Sequence, residues 1–333
     1  MGDALVFLRV YRFVVQTISM EHVSKLLPAI VPADFKALTP IQHRLNTMPT
    51  DVSEQIIYQH SVLCQTVMPY RNPGDDIRIW HRVNGRVKLL LEAGHLLDPS
   101  TDKFVKVGLP YGPKPRLVLF HLHAEALRTE SPLIELEDSL TAFVSRTLGL
   151  DKNGRNIRAV KDQLNRLAGT RFCLGMSDGI KAVTVQGVVF NRIELWTPRD
   201  ERQRTLWPTT VQFSRDYFDS LTQHAVPLTE EAVARLSHSA MGLDAYTWLA
   251  ERLHRVHPRK PAFVPWVSLK EQFGEGYGRM VDFRRVFERT LCQVKAVYPH
   301  ARFITDQRGM WLRNSPPPVP PRYCRGLLAE PSR

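Results

Sequence analysis

Cysteine is scarce in this chain: four residues in 333, at positions 64, 173, 292 and 324, with no C-x-x-C pair. That scarcity excludes a disulfide scaffold and a zinc site, and it suits a reducing, cytoplasmic compartment. No run of about eighteen uncharged apolar residues occurs, so neither a bilayer-spanning segment nor a membrane partner is expected. A Gly-x-x-x-x-Gly-Lys-Ser/Thr loop is also missing, which argues against an ATPase of the chain's own. GEGYG at 274–278 lacks the lysine and follows a helical pattern, so it reads as a turn. No spacing implies a cofactor or a metal. The last shortage is of acid: 33 Asp+Glu stand against 45 Lys+Arg, a formal net charge of +12. A positive field of that size favours an anionic partner, with nucleic acid ahead of a membrane surface or a merely basic solution protein.

What is present reads as mixed structure. Hydrophobic content of 43% over 333 residues is enough for about two domains with their own cores. The opening MGDALVFLRVYRFVVQTISM is apolar but interrupted by Arg9 and Arg12, and lacks a signal-peptide cleavage site. It suits an amphipathic helix or an early strand, and Met20 would itself begin a plausible protein. Residues 1–57 as a whole read as a peripheral region broken by Pro28, Pro32, Pro40 and Pro49. From Tyr58 to Val107 come short strand-like pieces such as IRIWHRVNGRVKLLLEAG, with Asn84-Gly85 as a tight turn, although its second half also suits a helix. The loop GLPYGPKPR at 108–116 follows.

Beyond that loop the order becomes legible. RLVLFHLHAEALRT is an expected helix, with Pro115 in its first turn. SLTAFVSRTLGL is a second, capped by Asp138 or Ser139 and ending near Gly149. DKNGRNIRAVKDQLNRLAGT becomes a third, with Ile157, Val160, Leu164 and Leu167 on one side. RFCLGM and KAVTVQGVVF read as strands split by Ser177-Asp178-Gly179, and Arg192–Thr197 as another. Three helices and a hairpin are the order of a winged helix-turn-helix module. TPRDERQRTLWPTT reads as a loop or a hairpin arm. A connecting segment over 201–235 then contains strand-like VQFS, a short helix near Arg215–Thr222, and PLTEEAVARL with Thr229 as its cap.

The order then repeats. GLDAYTWLAERLHRV is a helix, PRKPAFVPWV a proline-punctuated connection, and Ser268-Leu-Lys-Glu271 a capping box opening LKEQFG. After the glycine turn, DFRRVFERTLCQVKAV is the third helix, and ARFITDQRGMWLRN a hairpin with Gln307-Arg308-Gly309 at its tip. On a helical wheel Phe283, Val286, Phe287, Thr290, Leu291, Val294 and Val297 share one face. Arg284, Arg285, Glu288, Arg289, Cys292, Lys295 and Ala296 take the other. Arg285 and Arg289 are adjacent on it, with small residues continuing the strip, a shape that suits close approach to a major groove. Such a face is also what any solvated helix looks like. The context favours DNA, because residues 241–313 hold thirteen Lys+Arg against seven Asp+Glu. Arg284, Arg279 and Lys270 are expected at phosphates, and Lys295 and Arg308 complete the expected reader. The first module also has a basic third helix, with Arg155, Arg158, Lys161, Arg166 and nearby Arg171, which fits a phosphate backbone and a protein-contact surface equally well, Arg158 and Lys161 being the expected contacts.

The fold expected is therefore α+β and mostly helical: two tandem winged helix-turn-helix domains, over 58–200 and 236–315, with short β-hairpin wings. A proline-rich tail over 316–333 reads as disordered. His121-Leu-His123 resembles the histidine pair of metal-dependent nicking enzymes, but that pair needs a strand, and these lie in a helical pattern where i and i+2 diverge.

GPKPR at 112–116, EALRT at 125–129, SLTAFVSRTLGL, and DAYTWLAERL at 244–253 resemble the RepA-type replication initiators of bacterial plasmids. The similarity runs from about residue 45 to 315. It implies no enzyme, but a protein that binds double-stranded repeats at a plasmid origin, helps to open adjacent AT-rich DNA, and recruits host replication proteins such as a helicase, its loader or the host initiator. It also implies homodimers that repress their own gene and monomers that initiate, with the second module as the main reader. The alternatives are a winged-helix repressor without an initiator role and, less favoured, an origin-nicking nuclease.

Overall fold

A computed structural model of the chain describes residues 56–84, 87–98, 101–137, 139–177, 182–196 and 207–320. The expectations for the N-terminal region, the Gly85 turn position, Asp138, Asp178-Gly179, the 197–206 linker and the tail from 321 lie outside the described residues. The architecture is mixed α and β, with short antiparallel sheets among helices. Among the described residues no helix is long and apolar enough to cross a membrane.

Strand β1 (Ile56–His60) is buried along its whole length and leads into the short helix α1 (Ser61–Gln65). β2 (Ile79–Asn84) and β3 (Val87–Ala93) form a hairpin with Asn84 opposite Val87. β3 buries Val87, Leu89, Leu91 and Ala93 and exposes Lys88 and Glu92. That two-residue period, rather than a helical one, resolves the ambiguity of this stretch. A second hairpin follows, β4 (His95–Asp98) with β5 (Lys103–Lys106).

The 108–116 loop delivers the chain into α2 (Pro113–Arg128). Gly112 stands before it at φ 74°, a left-handed setting that favours glycine, and two prolines occupy positions where no helical N–H is lost. α2 is buried on most sides and is a core helix. β6 (Leu133–Glu135) is followed by α3 (Leu140–Ala142), which widens into a π-type turn over Phe143–Thr147. Ser139 caps this helix by accepting from the Ala142 N–H, and Gly149 ends it at φ 60°. α4 (Gly154–Ala168) is capped by Asn153 and buries Val160, Leu164 and Leu167.

β7 (Thr170–Ser177) and β8 (Ala182–Val188) do form the expected hairpin, but β7 also pairs with β3. The result is one antiparallel sheet in the order β2-β3-β7-β8, not a free-standing wing. β9 (Phe190–Trp196) and β6 flank β10 (Trp207–Phe213) in a second sheet. After α5 (Arg215–His224), β11 (Ala225–Thr229) pairs along its full length with β1. The expected connector thus adds strands to two sheets, and β11 does so by pairing with β1 from far upstream. Thr229 precedes α6 (Glu230–Leu236) as expected, but its hydroxyl meets the Tyr246 hydroxyl at 3.2 Å instead of capping.

α7 (Ala240–Leu253) is the hub: all but one of its fourteen residues are buried. It packs on α1, α2, β11 and α6 and, from the other side, on the C-terminal helix described below. The two expected modules share one continuous core through it.

A buried histidine cluster ties β1, α2 and α5 together. His60 Nε2 lies 3.0 Å from Ser220 Oγ, His123 Nε2 lies 2.8 Å from the Tyr217 hydroxyl, and His60 stacks on the Tyr217 ring. Burial drives the pKa of His123 down to about 3 and that of His121 to about 4, and burial with the neighbouring His224 and His123 lowers that of His60. These rings are neutral in the fold, whereas the unfolded chain takes up protons once the pH drops below about 6.5. Stability is therefore fully present above that value and is lost as the pH falls, by up to about 1.4 kcal/mol per pH unit for each ring. The urea midpoint is expected to fall between pH 7 and pH 5, and less so in a His123→Gln variant.

Candidate nucleic-acid interface

The C-terminal region places a short helix, a turn, a long helix and a hairpin together. Strand β12 (Ala262–Pro265) comes from the stretch expected to be a plain connection. It is followed at once by α8 (Trp266–Phe273), so the helix starts before Ser268 and that residue caps nothing. Local capping chemistry lost to a non-local contact. The Trp266 N–H donates to the Arg308 carbonyl at 3.2 Å and its indole donates to the Asp306 carbonyl at 2.8 Å, which fixes the start of α8 against the hairpin tip. Gly274 closes α8 and Gly276 turns the chain at φ 79°, the turn expected of GEGYG.

α9 (Met280–Val297) is the basic helix. Phe283, Phe287, Thr290, Leu291 and Val294 are buried, as the wheel predicts. Phe283 and Phe287 pack with Trp266 and Phe273, and Phe273 in turn meets Trp248 of α7. This aromatic stack holds α9 against the hub with its opposite face outward. β13 (Phe303–Thr305) and β14 (Gly309–Leu312) form the expected hairpin, and β12 adds to its other edge to give the order β12-β14-β13. Gly309 is required there: a Cβ would lie 2.2 Å from the Val264 carbonyl oxygen. At the turn the Asp306 carboxylate accepts from the N–H groups of Arg308 and Gly309 and from the Trp311 indole. Those donors hold its pKa below the usual carboxylate value, the indole contributing most.

The expected site residues divide into two groups. Arg285 is outward, its side chain 71% exposed and 3.4 Å from Asp282. Arg289 is exposed and makes no ion pair or hydrogen bond among the described residues. Arg279 begins the helix beside Asp282, at 3.7 Å. Arg308 is exposed at the hairpin turn.

The remaining three near α9 are engaged within the fold. Arg284 is only 32% exposed; it covers the Trp266 ring and donates to the carbonyls of Asp306 and Gln307. Lys270 donates to the Gly278 carbonyl at 2.9 Å across the turn. Lys295 donates to the carbonyls of Pro299 and Ala301 beyond the end of α9. Their first task is to hold the α8–turn–α9–hairpin geometry, a role a helical wheel cannot reveal. Arg158 and Lys161 sit apart on α4, which packs against α2.

A cleft of about 840 Å³ lies on the inner flank of α9, lined by Trp80, Arg82, Met241, Tyr277, Val286 and Thr290 among others. Neither Arg285 nor Arg289 lines it. The basic strip lies outside this cleft, on the exposed side of α9. Among the described residues no three His, Cys, Asp or Glu side chains converge as a metal site. His123 is fully buried in α2, bonded to Tyr217 and to the Tyr58 carbonyl, so His121 and His123 form no strand-borne pair.

The most consequential residues that sequence reasoning passed over are Arg116 and Asp244. Arg116 is 0% exposed and makes a two-point contact with Asp244, Nε to Oδ1 and a terminal nitrogen to Oδ2, both at 2.7 Å. The same guanidinium donates to the carbonyls of Gly112 at 2.6 Å and Met68 at 2.8 Å. Both residues stood inside motifs already singled out, Arg116 closing GPKPR and Asp244 opening DAYTWLAERL, but nothing local says that the two meet.

An outward basic helix, held by an aromatic stack beside an arginine-tipped hairpin, makes up the candidate nucleic-acid interface. Residues 109–266 match the family model described as "RepA_C: Plasmid encoded RepA protein". All four motifs that carry the RepA-type resemblance lie inside that range, so the resemblance is shown, while α9 and its hairpin lie beyond it. No curated protein matches the chain. Two solved structures align with it: the crystal structure of selenomethionine derivatives of domains 2 and 3 of RctB, and that of the RctB domains 2-3. The first has TM-score 0.48 and 10% identity, over 76% of this chain and 98% of that one. The second has TM-score 0.45 and 11% identity, over 75% and 94%.

Proposed function

We propose that this protein initiates plasmid replication by binding duplex repeats at the origin. α9 is the reading helix, with Arg285 and Arg289 at base edges and Arg279 and Arg308 at the backbone. The protein acts by binding and by DNA deformation, without a catalytic step of its own. Two winged helix-turn-helix units carry this function: α2, α3 and α4 with β7–β8, and α7, α8 and α9 with β13–β14. The second is the main reader. The first supports homodimer contacts or phosphates through Arg158 and Lys161. Host replication proteins, such as a helicase or its loader, are the further partners. The observation that carries the reading is the outward pair Arg285 and Arg289 on a helix fixed in a RepA-type chain.

A nuclease footprint over the DNA flanking the gene tests it. Protection is expected across a series of direct repeats in helical phase beside AT-rich DNA. Protection confined to one inverted repeat over the promoter would make the protein a repressor alone. A site-specific nick in supercoiled origin DNA with a divalent metal would make it an enzyme.

A further inference from the structure

We propose that the outer face of the β12-β14-β13 sheet is a second DNA site, one that stacks the bases of single-stranded DNA. The proposal rests on the reading of the chain as a DNA-binding initiator. Along β14, Met310 and Leu312 are both 0% exposed and point into the core, which puts Trp311 on the opposite face. The register sets Phe263 opposite Trp311 and Ile304 opposite Trp311 on its other side. Directly paired residues share a face, so three apolar side chains stand in a row across the outside of the sheet.

That row has a structure beyond chance exposure. The Phe263 and Trp311 rings are 4.7 Å apart between centroids, and Ile304 is 56% exposed. The indole N–H is already used, donating to Asp306 Oδ2 at 2.9 Å, so the ring plane is fixed while its polar handle is satisfied inside the protein. Cations border the row on two sides. One row further along, the Arg313 N–H donates to the Arg302 carbonyl, so these two arginines face each other across β13 and β14. At the turn, the Arg308 guanidinium lies 5.7 Å from the Phe263 ring centre. Arg302, Arg308 and Arg313 are all exposed, and none makes a salt bridge among the described residues.

Flat rings between exposed guanidinium groups match one class of ligand: a chain of anionic phosphates carrying unpaired bases. Bases within a duplex offer edges and not faces, so this row adds nothing to groove reading, which falls to α9. A protein partner would need a far larger apolar area than three side chains provide.

Fluorescence anisotropy of the full chain with labelled oligo(dT), alongside a repeat-bearing duplex, tests the site. The Phe263→Ala/Trp311→Ala variant is expected to bind oligo(dT) at least about ten-fold more weakly while holding the duplex. Ile304→Glu alters an exposed position without touching the Asp306 turn and is expected to act in the same direction. Arg285→Ala/Arg289→Ala is expected to give the opposite pattern. Absent oligo(dT) binding by the native chain, with duplex binding retained, would overturn this site and leave the initiator reading intact. Unchanged oligo(dT) binding in both sheet variants would also overturn it. Equal loss of both DNA forms would assign the face to the duplex interface, and stronger binding of oligo(rU) would assign it to RNA. Binding to no nucleic acid at all would sink the initiator reading itself.

Discussion

Replacing Arg116 by methionine is expected to destabilise the protein by about 3–5 kcal/mol, the cost of leaving a buried charge without its partner. The side chain is wholly enclosed, and its removal strands the Asp244 carboxylate together with the carbonyls of Gly112 and Met68. Burial already pushes the Asp244 carboxyl up in pKa, against the pull of Arg116. Without that guanidinium the carboxyl takes a proton more readily, so the Arg116→Met variant is expected to lose less stability at low pH than at neutral pH. Urea unfolding followed by tryptophan fluorescence measures this. An Arg116→Met/Asp244→Leu variant is expected to recover part of the loss, since both charges are then gone and only the carbonyls stay unsatisfied. Equal stability of the wild-type and Arg116→Met chains would show that the pair holds nothing. Because the two residues sit on α2 and α7, the loss is also expected to loosen the junction between the halves of the chain.

The Arg285→Ala/Arg289→Ala variant is expected to lose sequence-selective duplex binding by about a hundred-fold or more, since each two-point contact to a base carries about 1–3 kcal/mol of discrimination. Residual binding is expected to be non-selective and steeply salt-dependent, supported by the remaining positive surface. Arg285 and Arg289 are outward and cross-link nothing buried, so the melting temperature should be unchanged. Gel shifts at fixed salt, with cognate and scrambled duplexes, separate the two effects. Retained preference for the cognate duplex would remove α9 from the reading role. Arg284→Ala makes an instructive contrast. It removes a cover from Trp266 and two bonds to the hairpin turn, so weaker binding there is expected to come with lower stability.

Much of the local structure was legible from the residues. Phe283, Phe287, Leu291 and Val294 recur at helical spacing, and α9 buries them. Ser139 and Gly149 act where their chemistry places them, because capping and left-handed turns depend on neighbours within a few positions. The candidate reader was equally visible as Arg285 and Arg289 on the face opposite that apolar stripe. The Ser268 capping box was overridden by tertiary contacts. Its local logic was sound, but the bonds from Trp266 to Asp306 and Arg308 started the helix earlier.

The sequence alone determined the long helices α2, α4, α7 and α9, the turns at Gly149 and Gly276, the excess of positive charge and the outward basic strip, since each follows from composition, periodicity or one residue's own conformational limits. Tertiary structure decided the pairings: β3 with β7, β1 with β11, and Arg116 with Asp244. It also decided that Lys270, Arg284 and Lys295 brace the fold, while Arg285 and Arg289 stay outward. The reason is physical. Which strand edge or buried charge finds which partner depends on the burial available across the whole core, and no window of neighbouring residues contains that information.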